Sequence, residues 1–162
     1  MRLNNRNKAG FYNFISTSIL LIFVLGCGAF ILELFKFDML DESVSTLLLI
    51  IPGFFGLIFY LRGRQIFEYD SEGEALHFKN RNVLSYEKPI NDEFPKYKMI
   101  SYEVIDALIF TRLYVNLSSK KNKVITLKYD VSYLNKKELK DLKTSLSKVI
   151  KENKEIKREP IN

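Results

Sequence analysis

The stretch AGFYNFISTSILLIFVLGCGAFIL at residues 9–32 contains no charged side chain, and neither does SVSTLLLIIPGFFGLIFYL at residues 43–61. A helix needs about 20 predominantly apolar residues to cross a hydrocarbon core about 30 Å thick. A helix of a soluble domain normally keeps a polar stripe, whereas here the uncharged positions surround the whole helix. We therefore predict two membrane-spanning helices, at residues 14–35 and 44–61. A pair of helices buried in a soluble core is the alternative.

Charge is distributed unevenly around these two stretches. Basic residues precede the first and follow the second, whereas the connection between them is mainly acidic. Lys and Arg near membrane ends stay on the cytoplasmic side. The pattern therefore predicts a multi-pass protein with both termini in the cytoplasm. The flanking bases are Arg2, Arg6, Lys8, Arg62 and Arg64, and the connection holds Lys36, Asp38, Asp41 and Glu42.

Small residues occur at comparable depths in the two predicted helices. Small side chains let helix backbones approach closely in lipid, where no hydrophobic force draws helices together. Pro52 is expected to kink the second helix or to loosen its hydrogen bonding. The predicted helix–helix packing residues are Gly26, Gly28, Ala29, Gly53 and Gly56.

The chain has one cysteine, Cys27, in the sequence VLGC at residues 24–27. This sequence resembles the cleavage box of bacterial lipoproteins, in which Cys27 would become a lipidated N-terminus. However, the chain stays apolar after Cys27 and so completes a full membrane span. We interpret Cys27 as an ordinary helix residue, with lipidation as the alternative. A single Cys excludes an internal disulfide, which agrees with a cytoplasmic domain.

Three segments follow from the composition. Residues 1–63 form an N-terminal segment and the transmembrane hairpin, residues 64–150 form one small domain, and residues 151–162 form a charged tail that is expected to fray. Alternating apolar residues in the domain predict mostly strands, with the clearest hairpin at residues 112–129. Residues 89–96, which include two prolines, are predicted to be a loop.

An amphipathic helix is predicted after the strands. Asn135 and Glu138 have the spacing of a capping box, with Asn in place of Ser or Thr. Apolar residues then recur at helical spacing, and the opposite face is rich in Lys. The apolar stripe consists of Leu139, Leu142, Leu146, Val149 and Ile150.

Two apolar helices, six or seven strands and one closing helix resemble the bacterial PH-like membrane proteins. The likeness covers residues 64–150 and includes ISYEVIDA at residues 100–107. It implies an α+β fold, in which the transmembrane hairpin precedes a PH-like open barrel or sheet closed by the helix. It also implies a location in the bacterial inner membrane. Phosphoinositide-binding PH domains have a basic first hairpin loop, but SEGE at residues 71–74 is acidic, which argues against inositide recognition.

Residues suited to catalysis are scarce. His77, the single His, shares a predicted strand face with Ala75 and Lys79, so a solvent-facing role is expected. A metal site needs several converging His, Cys or acidic ligands, and the sequence has no Gly-rich phosphate loop. The chain is therefore predicted to be non-enzymatic, without a metal or cofactor.

The net charge of +6 suggests an anionic partner. Lys residues of the predicted helix alternate with acidic ones, which is typical of a solvated face rather than of nucleic-acid binding. Lipid headgroups are the nearer anions, since each Lys or Arg beside them contributes about 1 kcal/mol. A hairpin edge kept soluble by lysines is the alternative. The predicted lipid-surface contacts are Arg62, Arg64, Lys120, Lys121 and Lys123.

These patterns predict a membrane-anchored module whose domain binds the membrane surface or a protein partner. An accessory subunit of a larger membrane complex, assembled through the transmembrane hairpin, is the alternative. The sequence identifies no partner.

Overall fold

The structure, a computed structural model, is an α+β protein of two compact units. The helical unit is Gly10–Leu61. The strand unit combines Met1–Ala9 with Arg62–Asn162. The residues that the structure describes are 1–37, 41–83, 88–119 and 123–156, and the side chains of Phe37 and Glu42 are not described.

Two long helices form the helical unit. Helix α1 spans Ala9–Leu32 and continues as a π-helical turn at Glu33–Phe37, and helix α2 spans Glu42–Leu61 with Pro52 inside it. Both are long and apolar enough to cross a membrane. Only 6% and 11% of their most apolar segments are buried, so the alternative of two helices buried in a soluble core is not observed.

The strand unit contains, among the described residues, seven strands and a C-terminal helix. They are β1 (Arg2–Asn4), β2 (Ile66–Asp70), β3 (Ala75–Arg81), β4 (Ile90–Pro95), β5 (Met99–Asp106), β6 (Thr111–Ser119), β7 (Lys123–Asp130) and α3 (Lys136–Ile156).

These strands form two antiparallel sheets. One has the order β1-β2-β3-β4 and the other β5-β6-β7. Within the described ranges no pairing joins the two sheets, so they do not close into a barrel. The predicted hairpin is confirmed as β6 and β7, in which Leu117 lies opposite Ile125 and Val115 opposite Leu127.

Side chains from both sheets and from α3 enclose one hydrophobic core. Phe78 of the first sheet stacks on Tyr129 of the second, with ring centroids 4.7 Å apart. Leu142 and Leu146 of α3 are fully buried against this cluster. The apolar stripe predicted for this helix is therefore confirmed as its core-facing side.

The capping box that begins α3 is also confirmed. The Asn135 side chain accepts from the Glu138 backbone N–H at 2.8 Å, and the Glu138 carboxylate accepts from the Asn135 N–H at 2.7 Å. Two backbone donors at the helix start are thus satisfied reciprocally. The helix continues past the predicted boundary at residue 150, because Asn153 is buried and donates to the carbonyls of Lys96 and Met99.

The first residues of the predicted segment 1–63 do not group with the transmembrane hairpin. Met1–Ala9 belong to the strand unit, because β1 pairs with β2 and places Leu3 opposite Tyr69. Leu3 is buried in the core of that unit. β1 could not be predicted, because three residues are too few to show strand periodicity. Its partner β2 also comes only after both apolar helices in the chain.

The prediction of a loop at residues 89–96 is wrong. Residues of β4 pair with β3, with Asp92 opposite Phe78 and Phe94 opposite Leu76. Pro95 is the last residue of the strand, at the end of an edge strand, where a missing N–H is tolerated. The polar composition of β4 hid a strand that buries one phenylalanine.

Candidate functional site

The strand unit contains a network of polar residues around the chain segment that directly follows α2. Here backbone and side-chain hydrogen bonds connect chain segments that are far apart in sequence. We name this arrangement the junction. Its residues are Asn5, Arg62, Gly63, Arg64, Asn80, Asp130 and Ser132.

Gly63 allows the closest approach in the junction. Its φ is +78°, and a Cβ at this position would lie 2.5 Å from the carboxyl carbon of Asp130. Glycine meets both requirements, since it tolerates positive φ and has no side chain. The Arg64 N–H consequently donates to Asp130 Oδ2 at 3.3 Å, and Arg112 Nε contacts Asp130 Oδ1 at 3.3 Å.

The two guanidinium groups of the junction bind backbone carbonyls of the strand unit. Arg62 Nη2 donates to the Ser132 carbonyl at 2.9 Å, and its guanidinium lies 4.8 Å from the centre of the Tyr133 ring. Arg64 Nη1 donates to the carbonyls of Asn80 at 2.9 Å and Lys88 at 3.2 Å. Both arginines predicted to contact lipid therefore bond carbonyls within the strand unit, and their contact with lipid stays a prediction.

Two fully buried asparagines complete the junction. Asn5 donates to the Gln65 carbonyl and accepts from the Phe67 N–H, both at 2.8 Å. Asn80 donates to the Asp130 carbonyl at 3.1 Å and accepts from the Asp130 N–H at 2.8 Å, which joins β3 to β7. In the sequence, Asn80 begins the polar stretch NRN at residues 80–82, which is typical of a turn. Its role in joining β3 to β7 was therefore not predicted.

Residues directly beside both apolar helices are thus fixed to the strand unit. Lys8 precedes α1, and its Nζ lies 3.0 Å from Glu138 Oε1 in the first turn of α3. Arg62 follows α2, and its carbonyl accepts from the Ser132 hydroxyl at 2.8 Å. The residues that directly precede α1 and directly follow α2 therefore belong to the strand unit.

A turn of four apolar residues, at residues 107–110, connects β5 to β6. We name it the apolar turn. The Ala107 N–H donates to the Phe110 carbonyl at 2.8 Å, and the Thr111 hydroxyl donates to Asp106 at 2.6 Å. Leu108 is fully exposed, at 103% of its reference area. The turn is therefore an ordered structure that displays an aliphatic side chain to its surroundings.

The apolar turn is connected to the junction through Ser132. The Ser132 hydroxyl accepts from the Thr111 N–H at 2.9 Å while it donates to the Arg62 carbonyl. The Arg112 guanidinium lies 4.1 Å from the centre of the Phe110 ring. One hydroxyl thus links the residue after α2 to the residue after the apolar turn.

The predicted basic hairpin tip lies at the other end of β6. Lys123 is exposed and faces Ser119 in the β6–β7 pair, whereas Lys120 and Lys121 lie outside the described residues. Thr111 and Ser119 are about 26 Å apart, at about 3.3 Å per strand residue. The structure therefore does not bring Lys123 together with Arg62 and Arg64.

Gly26 and Pro52 interact through one backbone carbonyl of the helical unit. A Cβ on Gly26 would collide with the Leu48 carbonyl oxygen. Pro52, four residues after Leu48, has no N–H to bond that oxygen. The Gly26 backbone therefore lies against the Leu48 carbonyl oxygen, which receives no hydrogen bond from Pro52. A weak hydrogen bond from the Gly26 Cα–H to this oxygen fits the geometry.

The other predicted packing residues differ in their surroundings. A Cβ on Gly53 would contact Phe23 at 3.8 Å, and one on Gly56 would contact Ile19 at 3.6 Å. Gly28 has nothing within 4 Å, and Ala29 lines an apolar cleft between α1 and α2. Gly28 thus takes no part in packing within the described hairpin.

The titratable groups of the strand unit described next lie in surroundings that fit a role in stability rather than in catalysis. Burial, and then the hydrogen bond to Asp92 at 2.8 Å, raise the pKa of Tyr129, while burial raises the pKa of Tyr69 beside Ser145. His77 lies on the solvent side of β3, with Nδ1 3.5 Å from Glu93. Among the described residues, no group of three or more His, Cys, Asp or Glu side chains converges as a metal site would require.

No protein family, curated protein or solved structure was found to match the chain. The geometry of the junction and of the apolar turn therefore provides the basis for a functional proposal.

Proposed function

We propose that this chain is a non-catalytic protein of the bacterial inner membrane, with a cytoplasmic PH-like domain that binds the membrane surface or a protein there. The pairing of β1 with β2 carries this proposal. β1 precedes the two apolar helices and β2 follows them, so both ends of the helical unit must lie on one side of any membrane that it enters. Two membrane crossings, one by each apolar helix, return the chain to the side from which it entered.

Charge supports the cytoplasmic side for the strand unit. Basic residues flank the helices on the side of β1 and β2, and Asp41 lies in the connection on the other side. Positive residues near membrane ends are retained in the cytoplasm. Two antiparallel sheets and a closing C-terminal helix around one core support a PH-like fold.

The position of Arg62 in the chain supports action at the membrane surface. Arg62 directly follows α2 and is bonded to Ser132, so a membrane-spanning α2 keeps the junction beside the headgroups. A tethered module with a flexible linker would search a large volume instead. The domain thus has access to lipids and to proteins of the same membrane surface.

Reporter fusions test this topology. A reporter active only in the cytoplasm should work when fused after Asn162 and fail when inserted at Asp41. A reporter active only outside should show the opposite. Activity of the outside reporter after Asn162 would contradict the cytoplasmic assignment.

A second candidate function, an accessory subunit assembled through the hairpin, is favoured by the apolar cleft between α1 and α2. Its volume is about 500 Å³, and Leu25, Ala29 and Leu47 are among its lining residues. Purification in mild detergent separates the two functions. Partners lost when an unrelated two-helix hairpin replaces Gly10–Leu61 support the subunit, whereas partners retained by that chimera support the surface module.

A further inference from the structure

The apolar turn has an unusual composition for a hairpin connection. Gly, Asn, Asp, Ser and Pro dominate such turns, whereas residues 107–110 are Ala-Leu-Ile-Phe. Leu108 is fully exposed, and Ile109 and Ile105 are exposed beside it. Aliphatic side chains grouped at one exposed tip indicate a contact with an apolar medium or partner.

Hydrogen bonds at its base hold the turn in one conformation. The Ala107 N–H bonds Phe110, the Thr111 hydroxyl bonds Asp106, and the Arg112 guanidinium covers the Phe110 ring. An ordered tip loses little conformational entropy when it binds. The turn is therefore preorganised to present Leu108 and Ile109.

The position of the turn favours lipid as the occupant. Ser132 connects Thr111 to Arg62, the residue that directly follows α2. If α2 spans the bilayer, as the proposed function holds, Arg62 lies at the headgroups, and the turn begins within two hydrogen bonds of it. Arg112, which is paired with Asp130, lies over the Phe110 ring, and a long Arg side chain is able to cover apolar surface while its charged end stays at the water side.

We infer that the apolar turn inserts into the cytoplasmic leaflet, with Leu108 and Ile109 at the boundary of headgroups and acyl chains. Insertion is shallow, because the Asp106 carboxylate at the base of the turn stays at headgroup level. The inference rests on the proposed function, and it assigns the lipid contact to this turn rather than to the Lys123 end of β6.

Site-specific fluorescence quenching in vesicles tests this inference. Cys27→Ala removes the chain's single cysteine, and Leu108→Cys or Val124→Cys then introduces one label site. Val124 is a matched control, because it is an aliphatic residue, 52% exposed, at the opposite end of the β6–β7 pair. The full chain carries an environment-sensitive fluorophore in vesicles of phosphatidylethanolamine and phosphatidylglycerol, with or without lipids bearing a quencher on the acyl chain.

We expect several-fold stronger quenching at residue 108 than at residue 124. Quenching at residue 108 that does not exceed that at residue 124 would overturn the inference. A blue shift at residue 108 without quenching by lipid would also overturn it, because it would show a protein partner or a second copy of the chain.

A label at Ile50→Cys, 56% exposed in the middle of α2, separates this inference from the proposed function. Quenching at residue 50 without quenching at residue 108 overturns the lipid contact of the turn alone. No quenching at residue 50 overturns the membrane assignment, and the lipid contact with it.

Discussion

The helical and strand units are both rich in apolar side chains, but they place them in opposite surroundings. Leu20, Leu25 and Phe55 of the helical unit expose more than half of their area, whereas Phe78 and Leu113 of the strand unit are fully buried. Burial of apolar surface explains the fold of the strand unit in water. The described part of the helical unit exposes most of its apolar side chains, which agrees with the proposed location in lipid, where close packing replaces the hydrophobic effect.

The largest expected effect comes from removing Met1–Ala9 from a strand unit that has been separated from the helical unit. A flexible Gly/Ser linker in place of Gly10–Leu61 should leave a strand unit that unfolds cooperatively, because its core is complete without the helices. Further removal of Met1–Ala9 should lower the free energy of unfolding by about 3–6 kcal/mol, from the lost burial of Leu3 and the lost hydrogen bonds of Asn5. Urea titration followed by circular dichroism measures both.

A linker variant without a cooperative transition would show that the helical unit completes the core. Equal stability with and without Met1–Ala9 would show that β1 contributes nothing to the strand unit.

A smaller effect is expected from Tyr129→Phe, which removes the hydrogen bond to Asp92 between the two sheets. The loss should be about 1.5–3 kcal/mol at neutral pH, because the acceptor is charged. The folded state raises the pKa of Tyr129 above about 10, so its contribution is complete below that pH and declines above it, where the unfolded state loses its proton.

Urea titrations between pH 7 and 11 measure this dependence. The variant should lose less stability above pH 10 than the natural chain does. Tyr97→Phe, on an exposed ring, is the control and should change neither the stability nor its pH dependence. If the free energies of unfolding of the natural chain and of the Tyr129→Phe variant changed in parallel with pH, this role of the buried phenol would be excluded.

The smallest expected effect concerns packing in the helical unit. Gly26→Ala should weaken the hairpin by about 1 kcal/mol, at the low end of overpacking costs, because helices in lipid are able to shift apart. Gly28→Ala is the matched control, since its Cβ would meet nothing within 4 Å. Energy transfer between labels on α1 and α2 during titration with sodium dodecyl sulfate measures the difference. Equal effects at both glycines would contradict the close approach of Gly26 to Leu48.

Local patterns in the sequence were sufficient for the longer elements. The predicted span 44–61 lies within α2, and the span 14–35 lies within α1 and the π-helical turn that continues it. The capping box at Asn135 begins α3 as predicted. The β6–β7 register follows from alternation, which is a property of neighbouring residues. These elements are determined by interactions within one stretch of chain.

The junction could not be predicted because its partners are distant in sequence. Asn5 bonds residues 60 and more positions away, and nothing in its neighbourhood indicates this. The lipid contacts of Arg62 and Arg64 stay a prediction made on charge, whereas their hydrogen bonds to backbone carbonyls of distant residues could not be predicted from their neighbours in the sequence. The apolar turn was not predicted either, since its exposure depends on where β5 ends and β6 begins.

The pairing of β1 with β2 has a consequence for biosynthesis. The ribosome produces β1 first and β2 only after both helices, so the first sheet stays without its edge strand until the hairpin has been made. A chain whose first helix carries residues 1–8 across the bilayer would leave β1 in the wrong compartment, and Asn5 would not reach Gln65 or Phe67. Under the proposed topology, completion of the domain thus depends on correct insertion, and a wrongly inserted chain leaves the first sheet without its edge strand.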